Sequence, residues 1–202
     1  AVSADPAAAP PAPPPAAAPA PPYAGEAPVG AAWLAEREAA LQAVRQDVEA
    51  ARAAALAATP TKSDVAYGPH ARNVLDFYQA KSDKPTPVIV FIHGGGFVGG
   101  DKKGVDPALI RGANDAGVSV ASINYRFVDG RDVIFPAPQR DGARAVQFLR
   151  SKASEWNIDP KHFACVGGSA GAGISMWIGF HDDLADPNSD DPVLRQSTRI
   201  QA

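Results

Sequence analysis

Phe163-Ala164-Cys165-Val166-Gly167-Gly168-Ser169-Ala170-Gly171 is the stretch whose reading decides the fold. An apolar run leads into the pattern G-x-S-x-G, and small residues then lead into Ile174, Met176, Trp177 and Ile178. The spacing predicts a strand, a sharp turn and a helix. A serine on such a turn is held in a strained backbone conformation with its hydroxyl exposed, and small neighbours let strand and helix approach each other. Ser169 is therefore a candidate nucleophile. A glycine-rich turn also matches this pattern by chance, so the assignment depends on what accompanies it.

Upstream, Pro87 to Ile92 form a continuous apolar run rich in β-branched residues, ending in His93, Gly94, Gly95, Gly96 and Phe97. This predicts a buried strand running into a glycine loop. Successive backbone N–H groups of such a loop can point into one space, as a developing oxyanion requires.

Further phrases accompany these two: Asn124, Tyr125 and Arg126 after a strand, Phe135 to Pro138 opening a helix that contains Asp141, and Trp156 to Pro160 before the serine strand. With them, the segment from about Ser63 to about Leu184 resembles the N-terminal part of an α/β-hydrolase, specifically the hormone-sensitive-lipase-like and feruloyl-esterase-like carboxylesterases. Ala172 stands where these esterases usually have a second glycine, a departure small enough to keep close packing.

The resemblance implies a mainly parallel sheet with flanking helices. It also implies attack on an ester carbonyl by Ser169, oxyanion donors at the N–H groups of Gly95, Gly96 and Ala170, and a loop-organising role for His93. No cofactor is expected. In this family the order is nucleophile, acid, histidine. Few residues follow Ser169, so the domain is expected to be C-terminally truncated and to lack the triad acid and base. His181, the sole histidine after the serine, is expected near the far end of the serine helix, at least about 15 Å away by helical rise. His70 and His162 have no matching role.

Composition narrows the alternatives. A chain of 202 residues with a net charge of −3 suggests neither a nucleic-acid surface nor a basic membrane patch. Lys102 and Lys103 are expected in a solvated turn. The single Cys165 reads as a small buried strand residue rather than a reactive thiol. No apolar run is long enough for a transmembrane helix. Asp186, Asn188 and Asp190 have the alternate spacing of a calcium loop, but Asp191 stands at the sixth position and Ser197 at the twelfth, so a solvated acidic loop is preferred and no metal is expected. Asp182 and Asp183 are expected on a polar helix face.

In chain order, residues 1–30 are almost entirely Ala and Pro and read as a disordered tether. The chain begins with Ala1, which fits either an exported protein after removal of a signal peptide or an incomplete sequence. Residues 31–60 shift to Ala, Glu, Gln, Arg and Leu and predict a long helix. Leu34, Leu41, Val48 and Ala55 recur every seven residues, but Arg37 interrupts the seam, so a helix lying on the hydrolase domain or acting as a spacer is preferred over a self-associating coiled coil.

Residues 61–202 carry the partial hydrolase domain. Strands are expected at Ser63–Tyr67, Val74–Gln79, Pro87–Ile92, Val118–Ile123 and Phe163–Val166. Helices are expected from Asp106 to about Ala116, from Pro138 to Trp156 and from Ala170 to about Leu184. The serine strand is expected at an open sheet edge, a second possible site of self-association.

The functional expectation is a serine carboxylesterase acting on small acyl or carbohydrate-linked esters through an acyl-serine. A non-catalytic hydrolase-like fragment or binding module is the alternative, and a peptidase of the same fold is a weaker one.

Overall fold

The apolar run after Pro87 becomes the centre of a sheet. In the computed structural model, which describes residues 30–56 and 58–201, this run is strand β3 (Thr86–Ile92). The other strands are β1 (Lys62–Ala66), β2 (Val74–Tyr78), β4 (Ser119–Ile123) and β5 (Ile158–Gly167), and the sheet order is β1-β2-β4-β3-β5. The first two junctions are antiparallel and the last two parallel. The Pro/Ala segment expected as a tether lies outside the described residues, except for Gly30.

Helices cover both faces, and the side-chain period of two in β3 explains how. Val88, Val90 and Ile92 point to one face, where they pack with Ala145, Val146 and Leu149 of α3 (Ala137–Ser151) and Ile174 and Ile178 of α4 (Ala170–Phe180). Ile89 and Phe91 point to the other, where Ile110 and Ala113 of α2 (Pro107–Asp115) pack with Val105 and Val120. Each fully buried Leu or Ile here contributes about 1.5–3 kcal/mol. The α2 helix starts where the sequence predicts: the Asp106 carboxylate accepts the N–H of Ala108 at 2.8 Å, and Pro107 occupies the first turn.

Two helices stop earlier than expected. The α3 helix ends at Ser151, and turns then bring Asn157 to φ 53°, so that Trp156 folds back onto Phe77 and Phe148 with ring centroids 5.1 and 5.7 Å apart. The α4 helix ends at Phe180, so Asp182 and Asp183 are not on a helix face. The Asp183 carboxylate instead accepts the Ser197 hydroxyl at 2.6 Å and the Thr198 N–H at 2.8 Å, folding the last segment back toward β5. There Gln201 donates its N–H to the carbonyl of Phe163.

The α1 helix (Ala31–Leu56) forms where composition predicts it, with Trp33, Leu34, Leu41, Val44 and Val48 exposed. No helix among the described residues is long and apolar enough to cross a membrane.

Candidate active site

Ser169 sits at the junction of β5 and α4 with φ 52° and ψ −115°. A non-glycine residue in this region costs on the order of 1–3 kcal/mol and persists only where its surroundings hold it. Here strand and helix are pressed together so closely that a Cβ on Gly171 would run into the carbonyl oxygens of Ile92 and His93. Gly171 also donates its N–H to the carbonyl of Gly168 at 2.9 Å. Ser169 is exposed, and its hydroxyl has no hydrogen-bond partner among the described residues.

The glycine loop after β3 lies against this turn: a Cβ on Gly94 would be 3.6 Å from that of Ser169. Gly95 (φ 118°), Gly96 (φ 60°) and Phe97 (φ 64°) all take positive φ, and the carbonyl of Gly95 closes the loop by accepting the N–H groups of Val98 and Gly99, each at 3.0 Å. The N–H groups of Gly95 and Gly96 meet no acceptor among the described residues. Ala170 opens α4, so its N–H is one of the donors that a helix start leaves unpaired. The structure thus sets the loop that carries Gly95 and Gly96 against the Ser169 turn, with Ala170 following the serine at the start of α4.

His93 stands behind the loop. Its ring stacks on Tyr125 with centroids 4.4 Å apart, and its Nδ1 lies 2.7 Å from the carbonyl oxygen of Gly94. Burial, joined by the nearby Arg72 charge, pulls its pKa below the ordinary histidine value against the opposing Gly94 hydrogen bond. The remaining histidines lie elsewhere. His181 follows the far end of α4, against Trp177. His70 is exposed on the turn before β2, and His162 is exposed beside Asp159.

The phrase Asn124-Tyr125-Arg126 proves to be an anchor at three points. Asn124 accepts the N–H of Lys102 at 2.7 Å and donates to Asp101, Tyr125 supports His93, and Arg126 pairs with the buried carboxylate of Asp141 at 2.7 Å. The Tyr67 hydroxyl donates to the carbonyl of Asn124.

The expected solvated turn at Lys102 is wrong. Lys102 is 2% exposed, and its ammonium sits between Asp76 at 2.6 Å and Asp64 at 2.9 Å. Arg72, Lys102 and Asp76 had no distinguishing signal in the sequence, because their partners are distant in the chain.

The acidic loop is held by protein partners: Asp186 accepts the N–H of Asn188, and Asp191 pairs with Arg144 at 2.8 Å.

The family model for BD-FAE matches residues 75–201. Among curated proteins, the chain is 29% identical over 125 residues to versiconal hemiacetal acetate esterase of Dothistroma septosporum, covering 60% of this chain and 35% of that protein. It is 29% identical over 137 residues to esterase LipQ of Mycobacterium tuberculosis, covering 66% and 30%. Among solved structures, the acetyl ester-xyloside bifunctional hydrolase from Caldicellulosiruptor lactoaceticus superposes with a TM-score of 0.56 at 32% identity, over 63% of this chain and 45% of that one. The chain spans about a third of the length of the curated relatives it matches.

Proposed function

The chain belongs to the BD-FAE family of α/β-hydrolase esterases, and from that premise we propose that Ser169 is the nucleophile of a serine carboxylesterase site. The observation that carries the reading is the positive-φ Ser169, exposed against a glycine loop in which the N–H groups of Gly95 and Gly96 meet no acceptor among the described residues. In the proposed reaction the hydroxyl oxygen of Ser169 attacks the ester carbonyl, and its proton passes to a base. The carbonyl oxygen becomes an oxyanion facing the N–H groups of Gly95, Gly96 and Ala170. These donors are fixed before charge develops, so they need not reorganise during the step. Collapse expels the alcohol and leaves an acyl-serine, which water then hydrolyses.

Small acyl or carbohydrate-linked esters are the proposed substrates. Support comes from relatives whose names specify an acetate esterase and an acetyl ester-xyloside hydrolase.

None of the described histidines stands as a base for Ser169. His93 is committed behind the loop, and His181 is about 18 Å along the chain from Ser169 by helical rise. This favours a second reading, in which the 202-residue chain by itself is a hydrolase-like module with at most residual turnover. Oxyanion donors and binding alone retain part, not all, of the acceleration of a full triad.

The test is fluorophosphonate labelling of the chain with peptide mapping, beside p-nitrophenyl acetate hydrolysis. Slow labelling at Ser169 that disappears in Ser169→Ala is the expected result. Labelling that persists undiminished in that variant would refute the nucleophile assignment, and an esterase rate ordinary for a complete triad would refute the second reading.

A further inference from the structure

Arg72 precedes β2 and lies far in sequence from both glycine motifs, yet its guanidinium reaches His93, Gly100, Tyr125 and Phe127 behind the proposed oxyanion loop. Its Nε donates to the carbonyl of Tyr125 at 2.7 Å, one terminal nitrogen donates to the carbonyl of Gly100 at 3.1 Å, and the same nitrogen lies 3.4 Å from Nε2 of His93. The guanidinium carbon stands 3.7 Å from the centre of the Phe127 ring. An arginine can only donate, so Nε2 of His93 must accept. A carbonyl can only accept, so the 2.7 Å contact between Nδ1 and the oxygen of Gly94 requires the proton on Nδ1. Both constraints select one neutral form of the ring.

We propose that Arg72 is a positioning residue for the oxyanion loop, selecting the Nδ1–H form of His93 that aims the Gly95 N–H at the Ser169 side. The Gly94–Gly95 peptide is trans, so its C=O and N–H point in opposite directions. Nδ1–H of His93 holds that C=O toward the ring behind the loop, which turns the Gly95 N–H the other way. If the proton moved to Nε2, it would face the Arg72 guanidinium, and the Gly94 carbonyl would lose its donor. The same guanidinium ties Gly100, at the end of the loop, to Tyr125 beneath the ring. The charged and titratable groups facing His93 are Arg72, which disfavours the imidazolium, Asp101, which favours it, and Tyr125, whose hydroxyl donates to the His93 carbonyl. The catalytic purpose of this arrangement rests on the Ser169 reading above. The ring form does not.

The experiment uses the 202-residue chain with 15N-labelled histidine and glycine. Two-bond 1H–15N correlation spectra identify which ring nitrogen of His93 carries the proton, with His93→Gln used for assignment. The wild type is expected to show protonated Nδ1 and bare Nε2. Arg72→Leu is expected to populate the Nε2–H form, raise the pH at which His93 titrates and shift the Gly95 amide signal, while Arg72→Lys keeps the charge and retains the wild-type form in part. A wild-type ring protonated on Nε2, or an Arg72→Leu spectrum identical to wild type, would overturn the proposal. Should Arg72→Leu not fold, the wild-type ring form and the Arg72→Lys spectrum still decide. Where Ser169-dependent ester hydrolysis is measured, Arg72→Leu is expected to lower kcat roughly tenfold or more with KM within about twofold. Ser169→Ala should leave the His93 spectrum unchanged, so failure of the nucleophile assignment and failure of the Arg72 role give different results.

Discussion

The ammonium of Lys102 and the carboxylate of Asp76 meet at 2.6 Å inside the protein, with side chains 3% and 7% exposed. The pair joins β2 to the short turn that follows the glycine loop, and the Asp64 carboxylate closes it from the solvent side. Burial by itself would lower the Lys102 pKa, but the two carboxylates outweigh it, and the net direction is upward.

Replacing Lys102 by Met is expected to destabilise the fold by about 3–5 kcal/mol, because Asp76 is left as an unpaired buried charge. The folded-state pKa of Lys102 lies above its unfolded value, so its contribution is complete below the ordinary lysine value of 10.5 and is lost as pH rises through the folded value. Urea unfolding of wild type and Lys102→Met should therefore show a gap that is steady from pH 7 to about 10 and narrows above it. A gap that narrows between pH 7 and 9 instead would contradict the assignment.

Gly171 and Gly173 both lie in the first turns of α4, yet they should respond oppositely to alanine. A Cβ on Gly171 would strike two backbone carbonyls, whereas one on Gly173 would sit 3.6 Å from the Phe97 ring, an ordinary contact. Gly171→Ala is expected to cost about 1–3 kcal/mol and to displace Ser169. Gly173→Ala is expected to stabilise by up to about 1 kcal/mol through helix propensity. Thermal unfolding of the two variants checks the contrast.

The Cys165 thiol is pushed up to about 12 by burial, with the Arg150 charge pulling more weakly the other way. Its thiolate is therefore scarce near neutrality, and the native chain at pH 8 should react with 5,5′-dithiobis(2-nitrobenzoate) far more slowly than the urea-unfolded chain. Equal rates would show that the β5 edge opens readily.

Along that edge, Val166, Met176 and Phe180 are 40%, 61% and 87% exposed. Phe180→Ser removes apolar surface without removing a core contact, so its unfolding free energy is expected to stay within about 0.5 kcal/mol of wild type. Sedimentation velocity should show less self-association for this variant if the edge mediates it. Unchanged association would direct attention away from the edge.

Much of the hydrolase fold was legible because its signals are local. A continuous apolar run rich in β-branched residues predicts β3, Asp106-Pro107 marks the start of α2, and the glycines around Ser169 prescribe a tight strand-to-helix turn. Helix ends were less legible. Composition would extend α3 and α4, but α3 gives way to turns after Ser151, with Asn157 at positive φ, and the chain after α4 is held by hydrogen bonds to the Asp183 carboxylate instead of continuing the helix.

By itself, the sequence determined the order of elements, the Ser169 turn and the glycine loop, since each depends on the conformational limits of neighbouring residues. Only the tertiary structure decided that the loop rests against Ser169, that Lys102 is buried between two carboxylates, and that Arg72 reaches His93, Gly100 and Tyr125 at once. Those relationships join residues that are 21 to 75 positions apart, and a charged side chain reads the same in sequence whether its partner is water or a distant carboxylate. The sign and size of its contribution follow from the dielectric and the partners that folding brings to it.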